Sequence, residues 1–173
     1  CNYCTVDDVE VSGKYYVGGV VGYQRGAYQY GNLVKGSHIS GTSYYIGGVY
    51  GYSYYAYDMH LMNSTVEGLT ADTHSVGGIT GYRSGYSLIY RAGVLDSTIK
   101  TPGENAGGII GRTVNDNYVY FSYVDKSNII AYNKAGGISG EMNGVGYIRY
   151  SKVSNTNVVA NNNYAGGAIG YYY

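Results

Sequence analysis

The apolar positions of this chain follow neither a strict alternation nor a helical spacing; they return in one short phrase. An apolar residue, two glycines, an apolar residue, any residue and a third glycine stand at 17–22, 46–51, 76–81, 106–111, 135–140 and 165–170, a spacing of 29 or 30 residues. A unit of that length cannot bury its own apolar face and must stack on a neighbour, so a fixed period of this size predicts a row of near-identical coils. The expected fold is all-β: a single-stranded parallel β-helix, or β-solenoid, of about six coils over 1–173 as one repeat domain. A partial first coil would cover 1–23, with repeats anchored at Gly18, Gly47, Gly77, Gly107, Gly136 and Gly166.

Each coil reads as three strand-like stretches. The first carries a β-branched residue ahead of the glycines, at Val9 and Val11, Ile39, Val66, Ile99, Ile129 and Val158. The second is the doublet, whose following column Val20, Val49, Ile79, Ile109, Ile138 and Ala168 is apolar throughout and is expected to form a core ladder. The column before the doublet, Val17, Ile46, Val76, Ala106, Ala135 and Ala165, is apolar too. Three residues separate the two columns, which breaks the two-residue alternation of a flat strand. A bend or bulge at the glycines would turn both inward; otherwise one column packs outward against another chain.

The third stretch is rich in tyrosine, as in Tyr118 to Val124 or Tyr147 to Val153, and ends at polar corners such as Gly36-Ser37, Asp96-Ser97, Lys126-Ser127 and Asn155-Thr156. Short polar side chains there can satisfy turn backbone. Taking Val66 as the partner of Ile39 and Ile99, the stretch up to the doublet is longest in the third coil, which makes the corner at Asp72-Thr73-His74 the most protruding. Helical repeats are excluded, since each glycine costs about 1 kcal/mol relative to alanine within a helix. A right-handed winding follows the common hand of parallel crossovers.

Composition narrows the function classes. Eleven basic and eleven acidic residues cancel, leaving no footprint for a phosphate backbone, so nucleic acid is not an expected partner. No apolar run reaches the roughly 20 residues of a membrane helix, and no hydrophobic signal stretch opens the chain. Beginning at Cys1 rather than Met, the chain reads as a processed form or a fragment. Cys1 and Cys4 are the only cysteines; without a second pair they do not make a zinc site, and without a following helix they do not resemble a redox centre. A structural or incidental pair, or a lipid-carrying N-terminal cysteine, are the readings left.

Candidate chemistry is sparse. Asp7-Asp8 is the only adjacent acidic pair, and adjacent strand residues point to opposite faces rather than converging on a sugar. Asp58, Asp72, Asp96, Asp116 and Asp125 fall at corner-like places, and His38, His60 and His74 sit on different units with no partner spacing. The nine-residue aspartate repeat of a calcium roll is missing, as is the Gly-Lys-Ser/Thr ending of a phosphate loop. The sequon Asn63-Ser64-Thr65 fits secretion without arguing for it. No enzyme, cofactor or metal site is expected.

Tyrosine is the excess, at 26 residues beside 29 glycines. Tyr23, Tyr52, Tyr82 and Tyr171 follow the third glycine, where Arg112 and Glu141 stand in the other two coils; Tyr15, Tyr16, Tyr44, Tyr45 and Tyr164 precede the doublets. Equal phase on successive coils makes ladders, so these residues are expected to line a contact surface. They would either stabilise the coils or offer an aromatic face for sugar stacking or chain–chain packing. No threonine column of the kind an ice-binding solenoid would need is present.

The doublets and the Ser/Thr-x-Ile/Val stretches before them, such as Ser37-His38-Ile39 and Ser97-Thr98-Ile99, resemble the GLUG-type repeats of bacterial surface proteins and large immunoglobulin-cleaving peptidases. In those, a Gly-Gly-Leu-Val-Gly phrase recurs along a predicted β-helix; here Val, Ile or Ala replaces the leucine. The resemblance implies a secreted or surface-exposed stalk or adhesin segment without catalysis of its own. The expectation is a structural or adhesive extracellular segment. It would associate with itself, or with flanking repeats of a longer chain, through coil ends or tyrosine-rich faces. The alternative is a carbohydrate-binding or carbohydrate-processing β-helix, with glycans as partners.

Overall fold

A computed structural model describes residues 1–26, 28–54, 59–62, 65–67, 70–72 and 74–173. The described chain is all strand and coil, wound as a β-solenoid whose neighbouring strands are parallel throughout. One turn has five short strands rather than the expected three, and these stack into five sheets. In the middle of the rod a turn runs through Gly93–Leu95 (sheet I), Thr98–Lys100 (sheet II), Asn105–Gly107 (sheet III), Ile110–Val114 (sheet IV) and Asn117–Tyr120 (sheet V). Sheets I to IV have six strands and sheet V has five. The six doublets therefore mark six crossings of sheet III but five closed turns, the sixth running through four strands and ending at Ile169–Tyr172.

The doublets stand in vertical register: Gly18, Gly47, Gly77, Gly107, Gly136 and Gly166 pair from rung to rung. A bend follows each of them, between sheets III and IV, and it resolves the two apolar columns three residues apart. Val76 points inward before the bend and Ile79 after it, both fully buried. Glycine is needed there for close approach. A Cβ at Gly108 would run into the carbonyl oxygen of Gly137 on the next rung and the side chain of Val124.

The core ladder after the bend is closed only in the middle of the rod. Val49, Ile79, Ile109 and Ile138 are buried, while Val20 is half-buried on the first rung and Ala168 is exposed on the last. Ala165 is exposed for the same reason: a terminal rung has a neighbour on one side only.

Sheets I, II and V are built on a five-residue step. Ile89, Val94 and Ile99 point inward in one turn, Val119, Val124 and Ile129 in the next, and Ile148, Val153 and Val158 in the last. Two corners separate the three strands of each set, and each has a residue in the left-handed region: Arg91 and Asp96, Phe121 and Lys126, Tyr150 and Asn155. A small polar residue follows most of them. Ser127 Oγ donates to the Asp125 carbonyl at 2.9 Å and accepts from the Ser97 backbone N–H at 3.2 Å on the rung below. Ser122 does the same toward Tyr120 and Ala92 at 3.1 and 3.2 Å. Buried corner backbone is satisfied in this way from rung to rung.

Register also corrects the placing of Val66. It pairs with Val34 and Val94 in sheet I, and the residue between Ile39 and Ile99 is Ala71. Ala71 lies five residues before Val76, the shortest such stretch, against seven from Ile99 to Ala106. The corner before His74 is thus not a long one; Thr73 itself lies outside the described residues. The extra length of that coil falls between Tyr54 and Met59, also outside them.

Candidate functional site

The outward positions of sheets III and IV gather most of the tyrosines singled out from the sequence. Along sheet III the outward column is Tyr16, Tyr45, Ser75, Asn105, Lys134 and Tyr164. Along sheet IV it is Tyr23, Tyr52, Tyr82, Arg112, Glu141 and Tyr171. Because strands stack at a fixed rise, equal phase places rings above one another. Tyr23 and Tyr52 have centroids 5.4 Å apart at an interplanar angle of 8°, and Tyr52 and Tyr82 are 4.9 Å apart at 9°. Tyr15 stacks on Tyr44 at 5.4 Å and Tyr16 on Tyr45 at 6.1 Å.

The two columns also meet across the bend. Tyr16 lies 4.7 Å from Tyr52 at 46°, and Tyr45 lies 4.6 Å from Tyr82 at 32°. Tyr52 is the hub, touching the rings of Tyr16, Tyr23, Tyr45, Tyr54 and Tyr82. Tyr15, Tyr16, Tyr23 and Tyr44 are exposed, whereas Tyr45, Tyr52 and Tyr82 are half-buried beneath them.

Crowding shows in the acid–base behaviour. Burial, reinforced by the neighbouring hydroxyls of Tyr82, Tyr16, Tyr23 and Tyr45, pushes the Tyr52 phenol up to about 12. Tyr45 is raised by burial and by Tyr82, an effect partly opposed by the Arg112 guanidinium. These phenols stay neutral near pH 7, and the face is an array of hydroxyls and ring edges, not of charge.

The aromatic ladder does not run the full rod. A charged cluster interrupts it: Glu141, buried, accepts from Lys134 Nζ at 2.8 Å and lies 3.5 Å from Arg112 Nε. The Arg112 guanidinium sits 5.9 Å from the Tyr82 ring and Lys134 Nζ 4.9 Å from the Tyr171 ring. Tyr164 and Tyr171, 5.0 Å from each other, are thereby joined to the same column through cations rather than by direct ring contact with Tyr82. Lys134 was not visible as part of this column, because it reaches in from sheet III.

A second aromatic row lies in the tyrosine-rich third stretch, which the expected contact surface did not include. On sheet V Tyr118 stacks on Tyr147 at 5.6 Å, and at the adjoining corner Phe121 stacks on Tyr150 at 4.9 Å. The signal was present, since Tyr118 and Tyr147 are 29 residues apart, but it lay outside the glycine phrase.

The remaining candidates are dispersed. Asp7 and Asp8 are both exposed, Asp8 occupying a left-handed corner position. Asp125 accepts from Ser154 Oγ at 2.8 Å and Asn155 Nδ2 at 3.0 Å, and these bonds hold its carboxyl below the usual range, the behaviour of a corner acid. His38 and His74 line a shallow cleft with Ser40, Thr42, Ser43 and Pro102. Among the described residues no three metal-ligating side chains gather. Asp58, Asn63 and Ser64 lie outside them, as do the side chains of His60 and Asp72. Cys1 and Cys4 form a disulfide, with Cα atoms 6.2 Å apart.

Inside the rod a polar tract replaces hydrocarbon near sheet IV. Gln24, Ser53, Arg83 and Thr113 share one inward column and are buried. Burial pulls the Arg83 guanidinium down to about 10, opposed by the nearby Tyr50 hydroxyl. No helix among the described residues is long and apolar enough to cross a membrane. No family model, no curated protein and no solved structure matches this chain.

Proposed function

We propose that this chain is a non-catalytic structural or adhesive segment of an extracellular or cell-surface protein or filament. It associates with itself, or with flanking repeats of a longer polypeptide, through its coil ends or its tyrosine-rich faces. The observation that carries this reading is that four columns carry like residue types at both ends of the rod. In sheet I Val153 closes a column that Val6 opens, and in sheet II Val158 and Val11 do the same. Sheet III runs from Tyr16 to Tyr164 and sheet IV from Tyr23 to Tyr171. A rung like the first, placed beyond the last, would therefore meet residue types that it also carries, and unpaired parallel strand edges recruit such a rung.

Two further observations support the reading. The Cys1–Cys4 disulfide suits an oxidising compartment. The glycine phrase resembles GLUG-type repeats, which implies a bacterial surface location. The glycan-binding alternative is weakened by the rings themselves. Two coplanar rings would collide at 4.9 Å, so Tyr23, Tyr52 and Tyr82 overlap face to face, and Tyr52 offers a sugar neither of its faces.

Negative-stain electron microscopy and sedimentation velocity over a range of concentrations test the proposal. Rods that lengthen with concentration are expected; a monodisperse single-chain species at every concentration would refute association. Retention on a glycan array that is abolished by Tyr23→Ala, Tyr52→Ala or Tyr82→Ala would favour the alternative.

A further inference from the structure

The tyrosine face combines two properties that seldom coincide: phenols open to solvent, and phenols in contact with one another across separate turns. Tyr16 and Tyr23 are 39% and 49% exposed, yet both touch the Tyr52 ring. We propose that this face is a site of oxidative cross-linking, at which a one-electron oxidant of the haem-peroxidase class, fed by hydrogen peroxide, joins tyrosines of neighbouring rungs. The inference stands on ring geometry and does not depend on self-association.

The chemistry balances without a further reagent. One peroxide takes a hydrogen atom from each of two phenols, giving two phenoxyl radicals and two waters. Each radical carries spin on the carbons ortho to oxygen. A carbon–carbon bond forms between one ortho carbon of each ring, and each displaced ring hydrogen passes as a proton to its own oxygen. The product keeps both hydroxyls and has lost two hydrogens. Because tyrosine phenols are neutral near pH 7, and burial raises those of Tyr45 and Tyr52 further, their oxidation removes an electron and a proton together.

Geometry selects the partners. In the product the two rings are joined edge to edge, so rings stacked nearly parallel, such as Tyr23 on Tyr52 at 8°, present the wrong edges. The pairs across the bend are already turned and are also the closest: Tyr16 with Tyr52 at 4.7 Å and 46°, Tyr45 with Tyr82 at 4.6 Å and 32°. Each pair joins a sheet III strand to the sheet IV strand of the next rung. Such bonds would staple the first turns together and, by closing long loops, restrict the unfolded chain.

The test treats the dilute 173-residue chain with a haem peroxidase and hydrogen peroxide, then separates single chains for fluorescence and peptide mass spectrometry. Expected are blue dityrosine emission in the single-chain fraction, a loss of two hydrogens per link, and cross-linked peptides joining Tyr16 to Tyr52 and Tyr45 to Tyr82. Tyr16→Phe with Tyr45→Phe keeps the rings and the fold, checked by circular dichroism, and should reduce the emission severalfold. Tyr132, 51% exposed and with no ring neighbour among the described residues, is the internal comparison. Emission confined to linked dimers, emission unchanged in the double variant, or links through Tyr132 as frequent as those through Tyr52 would each overturn the proposal.

Discussion

The ring of Tyr52 lies 4.9 Å from that of Tyr82 at 9°, although 30 residues of chain separate them. The contact exists because the two residues hold the same phase on successive rungs, so its strength is a property of the rung repeat. Stacked aromatic pairs contribute about 0.5–1.5 kcal/mol each beyond buried area. Tyr52→Ala, which removes contacts with both Tyr23 and Tyr82, should therefore destabilise the fold by about 2 kcal/mol, read as a lower denaturation midpoint. Tyr52→Phe should stay near zero. An equal loss in Tyr52→Ala and Tyr132→Ala would mean that the ladder adds nothing.

Glycine at the doublet is tested by two substitutions at equivalent positions. A Cβ at Gly108 meets the Gly137 carbonyl and Val124 on the next rung, while at Gly167, on the open last rung, it meets nothing within 4 Å. Gly108→Ala should destabilise by more than about 4 kcal/mol or abolish folding, because backbone must move to admit it. Gly167→Ala should lie within about 0.5 kcal/mol of the parent. Similar losses at both sites, measured by thermal unfolding, would show that glycine serves flexibility there and not close approach.

The same steric demand explains what was legible in the sequence. Glycine cannot be replaced where backbones touch, so the doublet survives in every turn and reports the winding, the period and the inward columns beside it. The five-residue step was hidden. Its inward residues, such as Val119, Val124 and Ile129, are separated by outward Tyr120 and Tyr123, which are apolar by composition but face solvent. The corner serines between them read as loop although they are buried. Val66 was misplaced because the register partner of Ile39 and Ile99 is Ala71, which does not continue their β-branched column in the sequence. Equal phase sufficed to foresee the stacked tyrosines; the contacts of Tyr16 and Tyr45 across the bend, and of Lys134 with Glu141, depend on how two sheets meet.

The charged interruption of the ladder should be as sensitive as its aromatic part. Glu141 is buried while its partners are partly open, with Arg112 and Lys134 side chains 34% and 19% exposed. Removing the carboxylate leaves two partly exposed cations close together without their counter-charge. Glu141→Ala should destabilise by about 1–3 kcal/mol, less than a fully buried pair because both cations can turn outward. The loss should shrink when Arg112→Ala is added, and a double-mutant cycle with no coupling would contradict the contact.

Alkaline pH should weaken the fold partly through the tyrosine face, alongside the buried Tyr50 phenol, which burial also raises. Tyr52 and Tyr45 have folded-state values raised above the ordinary 10.0, Tyr52 to about 12. Below pH 10 both folded and unfolded chains hold these protons, and the stabilisation is fully present. Above it the unfolded chain releases them first, so stability falls as pH rises from about 10 through about 12 and is lost beyond the folded value. Exchanging Tyr45 and Tyr52 for phenylalanine removes the ionising hydroxyls and should flatten the decline across that window. Phenolate absorbance and circular dichroism followed in parallel provide the check. A decline of the same steepness in the parent and the double variant would place the alkaline weakness elsewhere in the molecule.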